Sequence, residues 1–572
     1  MIERRLAGVA AAGGIAVGRA LVLDEPPPAD EGTGGPEQRD RAVIGLAKAA
    51  GELAFSARRL REQGFDDEAE ILEASAQMAK DPSLAQAAVD AAQTVSAEAA
   101  VRIAAEGYAA RLADLPDPLL AARAADVREI GRRAAAILAG RELRSADGPV
   151  VLVARELGPA ELAELRLGSA EIVGVALAAG AVTSHAAIMA RAFGVPMVVA
   201  VGDELLGLAD VELVVDGDVG AVVVAPAETT LERTRAEVAR RARRRQELTR
   251  LRGLPSVTRD GVAVRLLCNA GTAAEVDAGL GAGAEGVGLL RTELAFLDAE
   301  GWPSEAQHVA ALAAPLRRLH GRLATVRTFD FGADKTPPFL AGEPRRGLAL
   351  ALAYPDALAA QLRAILRAAE GTELRVLLPL VEGAAQVRKV RALLAEAVDV
   401  VQWTGPSPAV GAMIETPAAA KAAHEIALEA DFLSIGTNDL VQYTLGLDRE
   451  LPVASARSAA DPAVLSLIAL VTAAAASAGL EVEVCGEAAG EPPLAALLVG
   501  LGVSELSVSP ARIDEARAAV RSLDSVAAAH VAHDALSAHS ADEAFDLGAR
   551  LLSGDRGEER GEVFGGLDGV VA

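Results

Sequence analysis

Apolar positions along this chain follow three rhythms in succession. Residues 13–23 hold short apolar runs broken by glycine, which predict one or two short strands. A Pro- and Gly-rich loop spans residues 25–36. From about 39 to 140 the apolar residues then fall at helical spacing among Ala, Glu and Arg. Ile71, Leu72, Ser75 and Met78 share one helical face there, while Asp66, Asp67, Glu68, Glu70 and Glu73 load its start with acid, either as a solvated face or as a docking surface for a basic partner. At residues 149–154 the rhythm turns to β. Further strand runs at 173–176, 196–201 and 212–215 alternate with short helices until about residue 225. The N-terminal strands are expected to join this α/β unit, so that the helices form an insertion within it.

A polar helix is predicted from Leu231 to about Arg252, capped by Thr229 or Thr230. It carries Arg240, Arg241, Arg243, Arg244 and Arg245 and suits a solvent-bridging connector. Strands are then expected at 263–268, 286–290, 324–329, 374–380, 409–414, 432–435, 482–484 and 505–508, each followed by an Ala/Leu-rich helix. That alternation predicts a (β/α)8 barrel. The expected organisation is a multidomain α/β chain. An α/β domain at 1–25 and 145–227 is interrupted by a helical subdomain at 26–144. A connector helix at 228–253, a barrel at 254–552 and a Gly-rich charged tail at 553–572 follow.

Composition narrows the class of protein. In 572 residues, 51% are hydrophobic, 24% charged and 3% aromatic, so the chain is globular with cores built from Ala, Val and Leu. A formal net charge of −25 argues against broad nucleic-acid binding. Two cysteines, Cys268 and Cys485, make no disulfide framework and suit a reducing compartment. The first residues lack the apolar run of a secretory leader, and the other apolar runs are too short to span a bilayer, so a cytoplasmic location is expected.

Candidate chemistry lies in two places. His185 stands where a loop passes into a helix, beside Thr183 and Ser184, and Gly194 with Pro196 closes that helix. Free backbone N–H groups and the helix dipole would stabilise an anion carried on the imidazole, although a histidine there also serves as a simple helix cap. The second place is the C-terminal ends of the barrel strands, where active sites of this fold lie. Those ends read Arg291-Thr-Glu293, Arg327-Thr-Phe-Asp330, Glu415-Thr-Pro417, Gly436-Thr-Asn-Asp439 and Cys485-Gly-Glu487. Arginines suit phosphate or carboxylate, and Glu415 with Asp439 offer hard oxygens for Mg²⁺.

These segments resemble those of enzyme I of the bacterial sugar phosphotransferase system, the phosphoenolpyruvate–protein phosphotransferases, over nearly the whole chain. Thr183-Ser-His-Ala-Ala-Ile-Met-Ala-Arg191 resembles the family's phosphohistidine segment, which implies His185 as the phosphorylated residue. The segments ending at Glu293 and Lys335 imply Arg291 and Arg327 as phosphate-binding residues, with Lys335 beside them. Those starting at Glu415 and Ser434 imply Glu415 and Asp439 as Mg²⁺ ligands and Asn438 as a substrate contact. The segment 443–449 implies Arg449 as a further substrate arginine, and Val484-Cys-Gly-Glu-Ala-Ala-Gly490 implies Cys485 as the catalytic thiol. The resemblance further implies a histidine carrier protein (HPr) docking on the helical subdomain, a homodimer through the barrel, and an α/β domain that swings between barrel and carrier.

The chain departs from the family pattern at three points. The loop from Lys335 to Arg345 and Arg346 is short, and Arg346 aligns with another substrate arginine. A histidine common on the docking helix is replaced near Ser75, and the tail has no counterpart. Two rivals share these motifs. A pyruvate phosphate dikinase or phosphoenolpyruvate synthase would need an ATP-binding domain larger than residues 39–140, and an inactive regulatory phosphocarrier would not need the whole set of arginines, carboxylates and thiol.

Overall fold

The computed structural model describes residues 3–23, 34–62, 65–113, 118–140, 148–167, 171–332, 335–447 and 456–553. It divides into two compact units, Met1–Arg244 and Arg245–Ala572.

The first unit is built on one eight-stranded sheet: β1 (Arg4–Ala7), β2 (Val9–Ala12), β3 (Ile15–Val22), β4 (Pro149–Ala154), β5 (Glu171–Leu177), β6 (Met197–Val199), β7 (Glu212–Asp216) and β8 (Ala221–Val224). Their spatial order is β1-β8-β7-β3-β4-β5-β6-β2, with β3 to β6 mutually parallel. Five helices, α1 (Pro36–Glu62), α2 (Asp66–Met78), α3 (Pro82–Ala91), α4 (Ala97–Ala113) and α5 (Pro118–Leu138), lie in the chain between the paired strands β3 and β4. After β4 come α6 (Pro159–Leu167) and α7 (His185–Phe193), and α8 (Glu228–Arg250) leads on to the second unit.

Alternation along the strands decides what each face buries. Leu152, Ala154, Val175 and Leu177 pack into one apolar core with the helices, including Leu46, Leu53, Leu72 and Ile130. Val151, Val153 and Ala176 face the other way, onto Leu205, Leu213 and Val222. The helical segment therefore shares its core with the sheet instead of packing as a separate body. In α1 the buried Ala42, Leu46, Ala49, Leu53, Ala57 and Leu60 form the expected stripe. Ser75 is fully buried and its hydroxyl donates back to the Ile71 carbonyl at 3.1 Å, so it belongs to the inner face of α2, not to an exposed docking face.

The second unit is a closed barrel of parallel strands: β9 (Arg265–Ala270), β10 (Gly286–Leu290), β11 (Leu323–Arg327), β12 (Glu373–Leu378), β13 (Ala409–Ile414), β14 (Phe432–Ile435), β15 (Glu481–Val484) and β16 (Glu505–Val508). β16 closes on β9 through the register Leu506–Leu266 and Val508–Cys268. Helices between the strands bury continuous Leu, Val and Ala surface against it.

Several boundaries differ from the sequence expectation. The N-terminal region holds three strands, because β1 pairs with β8 although its Arg4 and Arg5 hide the apolar rhythm. The connector helix starts at Glu228, since the Ala227 carbonyl already accepts from Thr230 and Leu231, so neither threonine is its cap. Strand β11 stops at Arg327, placing Phe329 beyond it. The scarce aromatics are not spread evenly: Trp302, Phe329, Phe331, Phe339 and Tyr354 pack together just past the end of β11. Among the described residues no single helix is long and apolar enough to cross a membrane. Arg449 and residues 554–572 of the tail lie outside the described residues.

One carboxyl joins the helical segment to the sheet. Glu129 on α5 is buried and accepts from the backbone N–H of Glu161 at 2.7 Å and of Ala160 at 3.4 Å, at the start of α6. Burial, then the nearby Glu161 carboxylate, push its carboxyl up to about 8. Between the ordinary glutamate range and that value the folded chain holds a proton that the unfolded chain releases, so this contribution to stability is lost as pH rises. In chemical denaturation of the full chain, stability from pH 5 to 8 should fall more steeply in the wild type than in Glu129→Gln. The expected difference is about 1 kcal/mol per pH unit, and equal slopes would contradict it.

Candidate active site

His185 is the first residue of α7. Ser184 caps the helix, its hydroxyl accepting from the Ala187 N–H at 3.3 Å, and Gly194 in the left-handed conformation ends it. The preceding loop is held by Arg191, which donates to the carbonyls of Ala11 at 2.7 Å and Val182 at 3.1 Å. Ala186, Ala187, Met189 and Ala190 bury the inner face of α7, so its first turn is fixed while Thr183 and Ile188 stay exposed.

A residue that the sequence reading did not single out faces the imidazole. Asp126 on α5 is buried, and its Oδ2 lies 3.0 Å from His185 Nδ1 and 3.2 Å from an Arg123 guanidinium nitrogen. The ring N–H is off line for a regular hydrogen bond, but the charge sits on the Nδ1 side. A carboxylate there favours the proton on Nδ1 and leaves the Nε2 lone pair free. The only signal in sequence was an acid on an inward helix face, which no local pattern ties to residue 185.

In the second unit the strand ends converge as the fold requires. Arg327, at the last position of β11, is 5% exposed, and its guanidinium meets Glu293 at 2.6 Å and Asp330 at 3.0 Å. Lys335 lies 3.0 Å from Glu293 and 3.8 Å from Asp330. Burial alone would lower the Arg327 pKa, but the Asp330 and Glu293 carboxylates outweigh it and raise it. Glu293 shows the mirror balance: burial works against its ionisation, while Arg327 and Lys335 hold it below the usual carboxylate range. Glu293 and Asp330 are thus working parts of the site that the sequence reading quoted without assigning.

Gln361 stitches these ends together. Its amide accepts from Phe329 N–H and donates to the Thr292 hydroxyl, both at 3.0 Å, and Thr292 donates to the Arg327 carbonyl at 3.0 Å. Arg291, next to Thr292, pairs with no carboxylate among the described residues, which leaves its guanidinium for an incoming anion.

Glu415 follows β13 and Asp439 lies in the helix after β14. Glu415 accepts from the Leu380 N–H at 2.8 Å and leans over Gly436, where a Cβ would come within 2.7 Å of its side chain. Burial first, then Asp330 and Asp439, push its carboxyl up to about 8. A site that strains to keep a carboxylate charged is one that gains from a cation. No group of three His, Cys, Asp or Glu side chains that could hold a metal occurs among the described residues. Mg²⁺ needs no such cage, binding through one or two carboxylates plus substrate phosphate, so Glu415 and Asp439 fit it. Arg346 reaches Asp439 at 3.4 Å and the Tyr443 hydroxyl at 3.2 Å, which brings this arginine into the same mouth.

Cys485 follows β15 and is 4% exposed. Burial, then Glu483, push its thiol up to about 12, so it is protonated at neutral pH. The Ser434 hydroxyl lies 3.4 Å from its sulfur. Asn438 accepts from the Glu487 N–H at 3.1 Å, tying the loop after β14 to that after β15. Cys268 is a buried thiol among the apolar residues of the barrel wall. The barrel mouth therefore brings together Arg291, Arg327, Lys335, Arg346, Glu415, Asn438, Asp439 and Cys485, while His185 belongs to the other unit.

Three family models match the chain: PEP-utilising enzyme, N-terminal, at residues 7–123; PEP-utilising enzyme, mobile domain, at 146–220; and PEP-utilising enzyme, PEP-binding domain, at 245–525. A phosphoenolpyruvate-protein phosphotransferase of Streptomyces coelicolor is 38% identical and spans 97% of this chain and 100% of its own. Proteins of that name from Bacillus sp. (strain S), 33% identical, and Cupriavidus necator, 35% identical, span 96% and 89% of this chain and 99% and 92% of their own.

The Asp126 contact has a spectroscopic consequence. Ring ¹⁵N shifts of His185 should report a proton mainly on Nδ1 in the wild type and a shift toward the Nε2–H form in Asp126→Ala. Identical tautomer populations would show that the carboxylate does not orient the ring.

Proposed function

The chain belongs to the family of phosphoenolpyruvate-utilising enzymes, and we propose that it takes the phosphoryl group of phosphoenolpyruvate onto His185 and passes it to a histidine carrier protein of the HPr type. It is a phosphoenolpyruvate–protein phosphotransferase of the sugar phosphotransferase system. One observation carries this reading. The barrel mouth gathers arginines, paired carboxylates and a protonated thiol, whereas the buried barrel histidine, His308, packs between Phe296 and Phe329. The candidate acceptor is His185, first residue of a helix in the other unit.

The chemistry follows from the charges. Phosphoryl transfer passes through a loose transition state, so positioning and neutralisation of charge supply most of the catalysis. Arg291 and Arg346 engage the phosphate and carboxylate of the substrate, with Arg449 as a further substrate arginine. Arg327 and Lys335 hold Glu293 and Asp330 in place and lend their positive charge to the floor of the site. Bound Mg²⁺, held by Glu415 and Asp439, would screen the phosphate oxygens. Asn438 steadies the substrate from the loop after β14. His185 uses its Nε2 lone pair to form the N–P bond while the bond from phosphorus to the enolate oxygen breaks, and Asp126 balances the charge that develops on the ring. The electron pair left on the enolate takes a proton at its methylene carbon from the Cys485 thiol, giving pyruvate. This reading includes a cytoplasmic homodimer formed through the barrel, and a carrier that docks on the outer helices of the first unit.

With ³²P-labelled phosphoenolpyruvate, His185→Ala should incorporate no label, and labelling at the wild-type level would sink the assignment. Arg291→Ala should keep the fold and lower kcat/KM about 100-fold or more, the usual size of losing one charged donor at a reacting group. Chelation of divalent metal should stop pyruvate formation, and restoring Mg²⁺ should recover it. Purified carrier proteins offered to the labelled enzyme will identify the partner by transfer of the label.

A further inference from the structure

Beneath the thiol lies a buried acid that the reaction above does not use. Glu483 on β15 stands two positions before Cys485, which follows the strand directly, so both side chains point toward the barrel interior. Glu483 is fully buried, and among the described residues neither of its carboxyl oxygens makes a regular hydrogen bond. Its neighbours are the hydroxyls of Ser434 on β14 and Ser507 on β16. Space for it is made by Gly288 on β10, where a Cβ would stand 2.1 Å from the Glu483 Oε1 and 2.6 Å from the Ser507 Oγ. An acid placed here, with a glycine opposite to admit it, adds nothing to packing that an apolar residue would not supply better.

The surroundings arrange this acid in a line. On one side, the Ser434 hydroxyl donates toward the Cys485 sulfur at 3.4 Å. On the other, Glu505 on β16 meets Arg265 at 2.7 Å and Arg375 at 2.8 Å, and Arg375 meets Glu481 at 2.7 Å. The Glu481 side chain is 49% exposed and opens this group to water at the N-terminal end of the barrel. Glu505, Arg375 and Cys485 are the charged or titratable groups that act on Glu483. Burial, then Glu505, raise its pKa well above the usual range, with Arg375 opposing.

We propose that Glu483 is the proton store that reloads Cys485 after each turnover, acting through the Ser434 hydroxyl. The inference rests on Cys485 being the donor to the enolate. When the S–H bond breaks and the new C–H bond of pyruvate forms, a thiolate remains in an apolar wall. Ser434 then gives its hydroxyl proton to the sulfur and takes the carboxyl proton of Glu483. One S–H and one O–H bond form while two O–H bonds break, and Glu483 is left ionised. Water at the Glu481 end returns the proton by way of Glu505. The net result is one solvent proton delivered to the product, without opening the phosphate side of the site to water.

Quench-flow on the full-length enzyme with phosphoenolpyruvate, Mg²⁺ and an excess of carrier tests this. In Glu483→Gln the first turnover should form pyruvate at the wild-type rate, because Cys485 is already protonated, and later turnovers should slow tenfold or more as ultraviolet thiolate absorbance accumulates. Ser434→Ala should give the same split between burst and steady state. A Glu483→Gln enzyme with wild-type steady-state turnover would overturn the relay, and so would equal loss of burst and steady state, the pattern of a merely structural carboxyl. Cys485→Ala separates the two levels of the proposal. If it still forms pyruvate in the first turnover, the thiol assignment fails, whereas a dead Cys485→Ala beside an unimpaired Glu483→Gln removes the relay alone.

Discussion

The barrel mouth depends on a guanidinium taken out of water. Arg327 sits at the end of β11 almost without exposure, and a buried charge of that kind persists only where counter-charges meet it directly. Glu293 comes from the end of β10 and Asp330 from the loop after β11, so their pairing with Arg327 pins two adjacent strand ends in one geometry. Removing Arg327 would leave two buried carboxylates against Lys335 alone, a loss on the order of 3–5 kcal/mol. The other features follow from this clamp. Thr292 and Gln361 are bonded into the same strand ends, and Arg291 is left without a carboxylate partner among the described residues. Lys335 completes the clamp from the following loop.

The first unit solves a different problem, that of holding one imidazole steady on a surface. Its answer is α5, whose inward face carries Asp126 against His185 and Glu129 against the start of α6. The helical segment and the sheet share a single apolar core, so the histidine rests on both.

Much of this was legible in sequence, for identifiable reasons. Eight apolar runs alternating with helices announced the barrel, because parallel strands buried on both faces leave continuous Val, Leu and Ile. Polar interruptions at the strand ends announced the mouth. Long-range partners were not legible. Asp126 is 59 residues from His185 and only the packing of α5 brings them together. Glu293 and Asp330 were visible as letters, but their pairing with Arg327 depends on how β10 sits beside β11. Ser75 shares the face of Ile71, Leu72 and Met78 as the helical spacing has it, and that face packs inward, which the acidic residues around it do not reveal.

Within one barrel, acids are treated in two opposite ways. At the mouth, Glu293 stands against Arg327 and Lys335, and its charge is fixed by cations. Below the mouth, Glu483 and Cys485 are kept neutral by burial and by the acids around them. The boundary between these regimes falls at Cys485, with Arg327 on one side, favouring its thiolate, and Glu483 on the other, favouring its thiol. A thiol at that boundary keeps its proton while the site is at rest. Two side chains a few residues from the same barrel mouth are thus set in opposite states by their neighbours, Glu293 ionised by the cations it meets and Cys485 protonated by the apolar wall it lies in.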